Sequence, residues 1–221
     1  DFSVQVDKGI AKQLKASQKQ VLTLRVWNKK NLVGITTTSD LSENGLKKAL
    51  YQANLASDYG NKNELTDFSP LAKDPIKDIK QAKRSPAGIK KLLETLRFAE
   101  SELLKKHSAI KTIPYNGLSE SFYKRIYANS EGAQRSYAKS QAAIYLYARA
   151  EENNRKPRSS GSVKIGYGLE DIDINSCIDE AAEKTISHLN YSAIETGKYK
   201  VCFSPESFLT LMNAFSSIFN A

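Results

Sequence analysis

Residues 115–128 and 134–150 are two long strand-type stretches separated by little more than the turn sequence Asn129-Ser130-Glu131-Gly132. A link this short makes the flanking strands antiparallel. The second stretch is dense in Tyr137, Ile144, Tyr145, Leu146 and Tyr147, residue types that fit a pleated, half-buried surface. The centre of the chain is therefore expected to hold an antiparallel sheet.

The amino-terminal part carries the same signal in shorter pieces. Phe2, Val4 and Val6 alternate with polar residues, and Lys8-Gly9 offers a turn. Residues 10–16 form a weaker second strand. Residues 20–27 form a third, with Leu22, Leu24 and Val26 on one face, and 32–38 a fourth. The period then changes. Asp40 or Ser42 caps a helix in which Leu46, Ala49, Leu50 and Ala53 recur at helical spacing. Residues 1–60 thus read as a β-meander plus one helix, and 61–85, polar and containing Pro70 and Pro75, as a linker.

Residues 86–200 read as a helix, antiparallel strands and a helix. Ser85-Pro86 opens the first of these helices, with proline at the favoured first position and a stripe of Ile89, Leu92, Leu93, Leu96, Ala99 and Leu103. A charged hairpin tip with Pro157 leads to a short strand over 162–167. Ser176 caps the next helix, with Asp179 in the capping-box position and Ile178, Ala182, Ile186 and Leu189 on its apolar face. Residues 199–203 alternate as a strand. Ser204-Pro205-Glu206 then turns the chain into a last helix, with Phe208, Leu211, Met212, Phe215 and Phe219 on one side. The fold class is α+β, mostly antiparallel sheet segments with packed helices.

The 221 residues are 40% hydrophobic, enough for one large core or two small ones. The net charge is +9 and the pI near 9.4. The lysines are scattered, as at Lys47-Lys48, Lys90-Lys91 and Lys105-Lys106, so a solubilised surface is the simpler reading than an acidic partner. No apolar run approaches the ~20 residues that cross a bilayer, so no membrane is expected. Cys177 and Cys202 are too few for a disulfide scaffold. Cys202 is expected in a buried strand, and the setting to be reducing and cytoplasmic. Both ends of the chain are expected to be cut, within a longer protein.

Candidate chemistry is sparse. His107, His188, Cys177 and Cys202 offer no CxxC, HxxxH or HExxH spacing, and both histidines sit at helix ends, where a cation complements the dipole. Gly161, Gly166 and Gly168 lack the spacing of a phosphate cradle and read as a strand with turns. Glu151-Glu152 and Glu170-Asp171-Asp173 border loops. Tyr115, Tyr123, Tyr127, Tyr137, Tyr145 and Tyr147, among Lys124, Arg125, Arg135 and Lys139, could stack on single-stranded nucleic acid. An antiparallel sheet with one wet face also collects tyrosine, and nucleic acid is not the favoured partner.

Three collinear stretches resemble the TldD/PmbA family, and specifically its PmbA (TldE) branch. They are Thr36-Thr37-Thr38-Ser39-Asp40-Leu41-Ser42 at a strand-to-helix junction, Asn129-Ser130-Glu131-Gly132 at a hairpin, and Val201-Cys202-Phe203-Ser204-Pro205-Glu206 before a helix. The resemblance implies the amino-terminal portion of a TldD/PmbA-like fold, with 201–221 starting the family's carboxy-terminal domain. TldD-like members are zinc metallopeptidases with an HExxxH helix. PmbA-like members pair with them, and the heterodimer cleaves unfolded or flexible peptides. The family's label "modulator of DNA gyrase" comes from its part in microcin maturation and does not imply DNA binding.

When Ser204-Pro205 is aligned with the turn before HExxxH, Asn213 falls at the first histidine, Ala214 at the glutamate and Ile218 at the second histidine. No histidine follows His188, so shifting the register does not help. The expectation is a degenerate zinc motif, with no catalytic residue, metal ligand or cofactor in this chain and the zinc in a TldD-like partner. The expected partners are that catalytic subunit and an extended peptide, with a homodimer possible in isolation. The alternatives are a self-sufficient metallopeptidase with ligands beyond this segment, or a basic nucleic-acid-binding module.

Overall fold

A computed structural model describes residues 1–60, 68–69, 74 and 84–219. The expected linker 61–85 lies mostly outside the described residues. The chain divides into two compact units, Asp1–Leu189 and Asn190–Ala221. No helix among the described residues is long and apolar enough to cross a membrane.

In the first unit, strands β1 (Phe2–Asp7), β2 (Ile10–Ala16), β3 (Leu22–Trp27) and β4 (Val33–Thr38) precede helices α1 (Glu43–Ser57) and α2 (Ile89–Lys105). Strands β5 (Ile110–Ala128), β6 (Gln134–Ala150) and β7 (Arg158–Gly166) follow, then helix α3 (Ile174–Ser187). The α+β class and the antiparallel pairing are as expected. The division of the strands is not. β1 and β2 do not form one meander with β3 and β4; they join a five-stranded sheet in the order β2-β1-β5-β6-β7, while β3 and β4 pair alone. β1 is recruited by β5, through Phe2–Glu120, Ser3–Ser119 and Val4–Leu118.

The core lies between one face of this sheet and helices α2 and α3. Val4 and Val6 of β1, Leu118 of β5, and Ile144 and Leu146 of β6 meet Leu92 and Leu96 of α2 and Ile178 of α3, all fully or almost fully buried. The expected stripes of α2 and α3 are thus the packed ones. Burial of each such side chain contributes about 1.5–3 kcal/mol. Glu100 of α2 reaches past this stripe to the β1–β2 turn. Its carboxylate accepts from the Lys8 and Gly9 amides at 3.0 and 2.6 Å. Both residues have positive φ, 51° and 76°, as a tight two-residue hairpin requires.

The β3–β4 pair carries α1. Ser42 is its cap, with Oγ accepting from the Gly45 amide at 3.1 Å. Small residues make this contact: a Cβ on Gly34 would lie 1.9 Å from the Ala53 carbonyl oxygen. Consequently Ala49 and Ala53 are the buried residues, while Leu46 and Leu50 stay exposed.

Three expectations at element ends are corrected. α2 begins at Ile89 with Gly88 as its cap, not at Pro86, because the Glu120 carboxylate holds the Ala87 amide at 2.8 Å. α3 is capped by Asp173, whose Oδ1 accepts from the Ser176 amide at 2.9 Å, so Ser176 is already helical. Residues 199–203 pair with no strand among the described residues, and Cys202 is exposed rather than buried.

Within the second unit, helix α4 (Pro205–Ala214) starts on the Ser204 cap with proline in its first turn, as expected. No residue of α4 is buried; Phe208, Leu211, Met212 and Phe215 are all exposed.

Candidate functional site

Helices α2 and α3 share one face of the five-stranded sheet, and among the described residues no helix of the first unit packs on the opposite face. Register assigns that open face. Tyr115 stands opposite Tyr147, Gly117 opposite Tyr145, and Tyr145 and Tyr147 opposite Val163 and Gly161 of β7. The tyrosines lie down on glycine. A Cβ on Gly117 would meet the Tyr145 ring at 2.5 Å, and one on Gly161 would meet Tyr147 at 2.8 Å. Gln5 Nε2 fixes the Tyr145 hydroxyl by donating to it at 2.8 Å.

The same register carries the outer hairpin. Tyr123 faces Lys139, Arg125 faces Tyr137 and Tyr127 faces Arg135, and the Tyr123 and Tyr137 rings meet edge to face at 6.3 Å. All six tyrosines therefore share one face with Arg125, Arg135 and Lys139, while Lys124 falls on the other. Tyr145 and Tyr147 are recumbent and half-covered rather than upright posts. That geometry suits a wet sheet face better than a ladder for stacking bases.

The candidate ligands do not converge. His107 follows α2 and its Nδ1 accepts from the Ala109 amide at 3.0 Å; His188 is the α3 C-cap. Cys177 is buried in α3, where desolvation pushes its thiol up, and its Sγ donates to the Ser162 carbonyl at 3.9 Å. Among the described residues no group of three or more His, Cys, Asp and Glu side chains could hold a metal ion. The paired carboxylates are engaged in ion pairs and caps. Glu151 meets Arg149 at 2.9 Å and Glu152 meets Arg155 at 3.6 Å. Arg84 bonds Asp171 at 2.8 Å and Glu170 at 2.8 Å. The Arg84 hydrogen bond holds the Asp171 carboxyl below its ordinary range.

Three glutamates that sequence reasoning passed over organise the unit. Glu100 holds the β1–β2 turn. Glu120, also buried, accepts from the Ala87 and Leu169 amides at 2.8 and 3.3 Å. Glu180 lies between Lys164 and Lys184, and their hydrogen bonds, with Lys164 the larger cause, lower its carboxyl to about 2. A signal for two of them was present: Glu100 sits four residues after Leu96 on the buried stripe, and Glu120 two residues after Leu118 on the buried side of β5.

The degenerate zinc positions fall at the end of α4. Asn213 and Ala214 are its last two residues, Phe215 is its C-cap, and Ile218 lies in the following 3-10 turn, Ser216–Phe219. All three are exposed.

Residues 82–189 match the PmbA/TldA metallopeptidase central domain. No curated protein matches the chain. Several solved structures share its fold, among them the following three. A candidate modulator of a DNA gyrase from Thermotoga maritima matches with a TM-score of 0.75 and 18% identity over 89% of this chain and 44% of that one. TldE from Thermococcus kodakarensis matches with a TM-score of 0.72 and 15% identity over 84% and 41%. A candidate modulator of DNA gyrase from Bacteroides thetaiotaomicron matches with a TM-score of 0.74 and 14% identity over 90% and 46%. The chain spans less than half the length of each of these structures. Residues 82–189 thus form a central domain of the TldD/PmbA family, in a chain whose fold these three structures share.

Proposed function

We propose that the chain is part of a PmbA/TldE-like, non-catalytic subunit of a TldD/TldE-type zinc metallopeptidase that cleaves unfolded or flexible peptides. The observation that carries this reading is a conjunction. A metallopeptidase central domain spans 82–189, while the positions aligned with HExxxH hold Asn213, Ala214 and Ile218. Asparagine is a poor zinc ligand, and alanine and isoleucine have no lone pair to offer. In this reading the zinc and its activated water belong to a TldD-like catalytic subunit, and this chain contributes binding surface. The two free cysteines suit a reducing, cytoplasmic setting.

The test is to co-express the full-length protein with its TldD-like counterpart and assay cleavage of an unfolded peptide. Co-purification with zinc-dependent cleavage is expected, and neither subunit alone should match the pair. Two proteins that neither associate nor cleave together would refute the pairing. Stoichiometric zinc in the full-length protein alone would instead favour a self-sufficient metallopeptidase.

A further inference from the structure

The five-stranded sheet has two edges, β7 and β2, and they differ in how their lysines are paired. At β7 the single lysine, Lys164, is paired with Glu180 at 2.5 Å.

The outward groups of β2 follow from its pairing with β1. Asp1 and Ser17 exchange both backbone bonds, at 2.9 and 3.0 Å. Alternate pairs of an antiparallel ladder then turn their polar groups away from the partner. Counting inward, Ala16 and Leu14 point N–H and C=O outward, opposite Phe2 and Val4. Lys12 is the extra residue of a bulge, since Gln13 pairs with Gln5 and Ala11 with Val6. Around this edge stand Lys8, Lys12, Lys15 and Lys19, all exposed and in no ion pair among the described residues. Ile10 and Leu14, 71% and 51% exposed, lie between them.

We propose that the β2 edge binds an extended acidic segment of a peptide substrate by strand addition, through the outward amides and carbonyls of Leu14 and Ala16. The claim deepens the proposed function, and it rests on that reading only for calling the occupant a substrate. Main-chain hydrogen bonds supply the grip and alternate side chains the selection. The lysines decide the occupant. Two copies of β2 edge to edge would set lysine against lysine, so a second copy of this chain is excluded, whereas acidic residues would neutralise the row. Leu14 and Ile10 favour apolar residues at the alternate positions of the incoming strand.

The test uses this chain alone and a fluorescein-labelled peptide of alternating glutamate and valine, followed by fluorescence anisotropy. The glutamate peptide is expected to bind at least about tenfold more tightly than a lysine–valine counterpart, with the difference shrinking as salt rises. Leu14→Pro removes an outward N–H without touching the β1 ladder, and should weaken binding about tenfold. The double change Lys12→Glu and Lys15→Glu should invert the preference. A pair of glutamate–valine peptides N-methylated on alternate residues, one in each register, tests the edge without altering the protein, and one register should lose binding. Equal binding of the acidic and basic peptides, or undiminished binding of both N-methylated forms, would overturn the proposal. Cleavage with a TldD-like subunit but no such binding would reject the β2 site while leaving the proposed function intact. Binding without association or cleavage would do the reverse.

Discussion

The Tyr145 ring lies so close over Gly117 that a Cβ there would stand 2.5 Å from it. Tyr145 is not free to swing aside, because Gln5 holds its hydroxyl at 2.8 Å. Gly117→Ala should therefore destabilise the sheet by about 1–3 kcal/mol, the usual cost of overpacking. Urea unfolding of the variant measures this. Removing the ring as well, in Gly117→Ala with Tyr145→Ala, should cost less than the sum of the single changes. Strict additivity would mean that the ring and the glycine are not in contact.

Glu100 ties α2 to the β1–β2 turn through two amides. Glu100→Ala leaves both without their partner and should cost about 1–3 kcal/mol. Glu100→Gln keeps one acceptor and should cost less. Amide exchange at Gly9 should quicken more than exchange in β6, which the turn does not touch. Uniform quickening across the sheet would contradict this local role.

Glu180 links stability to pH. Its folded value, about 2, lies below the ordinary 4.5, so its contribution is present above pH 4.5 and is lost as pH falls from there toward about 2. Both lysines and the carboxylate are about one-third exposed. Solvent screening therefore limits the effect to on the order of 1 kcal/mol. Thermal melts across that interval should show a shallower acid decline in Glu180→Gln than in the parent. Identical slopes would show that the triad is not linked to folding.

Refitting the zinc positions should not create a site. The changes Asn213→His, Ala214→Glu and Ile218→His supply the right side chains, but α4 ends at Ala214 and position 218 lies in the next 3-10 turn. Two ligands on different helical segments do not share one face. Metal analysis after dialysis should find no stoichiometric zinc in the triple variant of this chain. Tight uptake would show that the helix continues through 218.

The local pattern made much of this legible. The hairpin about Asn129–Gly132, the stripes of α2 and α3 and the tyrosine-bearing strand β6 all follow from periodicity and one turn sequence. β5 begins at Ile110 rather than Tyr115 because it runs through Pro114, where the ladder shifts register between Thr112 and Tyr115; a proline there reads as a break. The choice of β5 as partner for β1 has no local signature, since any half-buried strand offers the same alternation. Tyr199, Val201 and Phe203 alternate as a strand does, yet pairing depends on a neighbour that the pattern cannot name. The zinc positions could be located only by resemblance, because a missing ligand leaves no mark of its own.

The pairing of Val4 with Leu118 joins points separated by about half the chain. A hairpin such as β5–β6 closes locally, but this contact must wait for a long loop to be brought together, an entropic cost that local contacts avoid. The amino-terminal hairpin should thus be the last part to dock during folding and the first to detach. A nascent or stressed chain would then expose the Val4 and Val6 side of β1, a sticky surface, before any other part of its core.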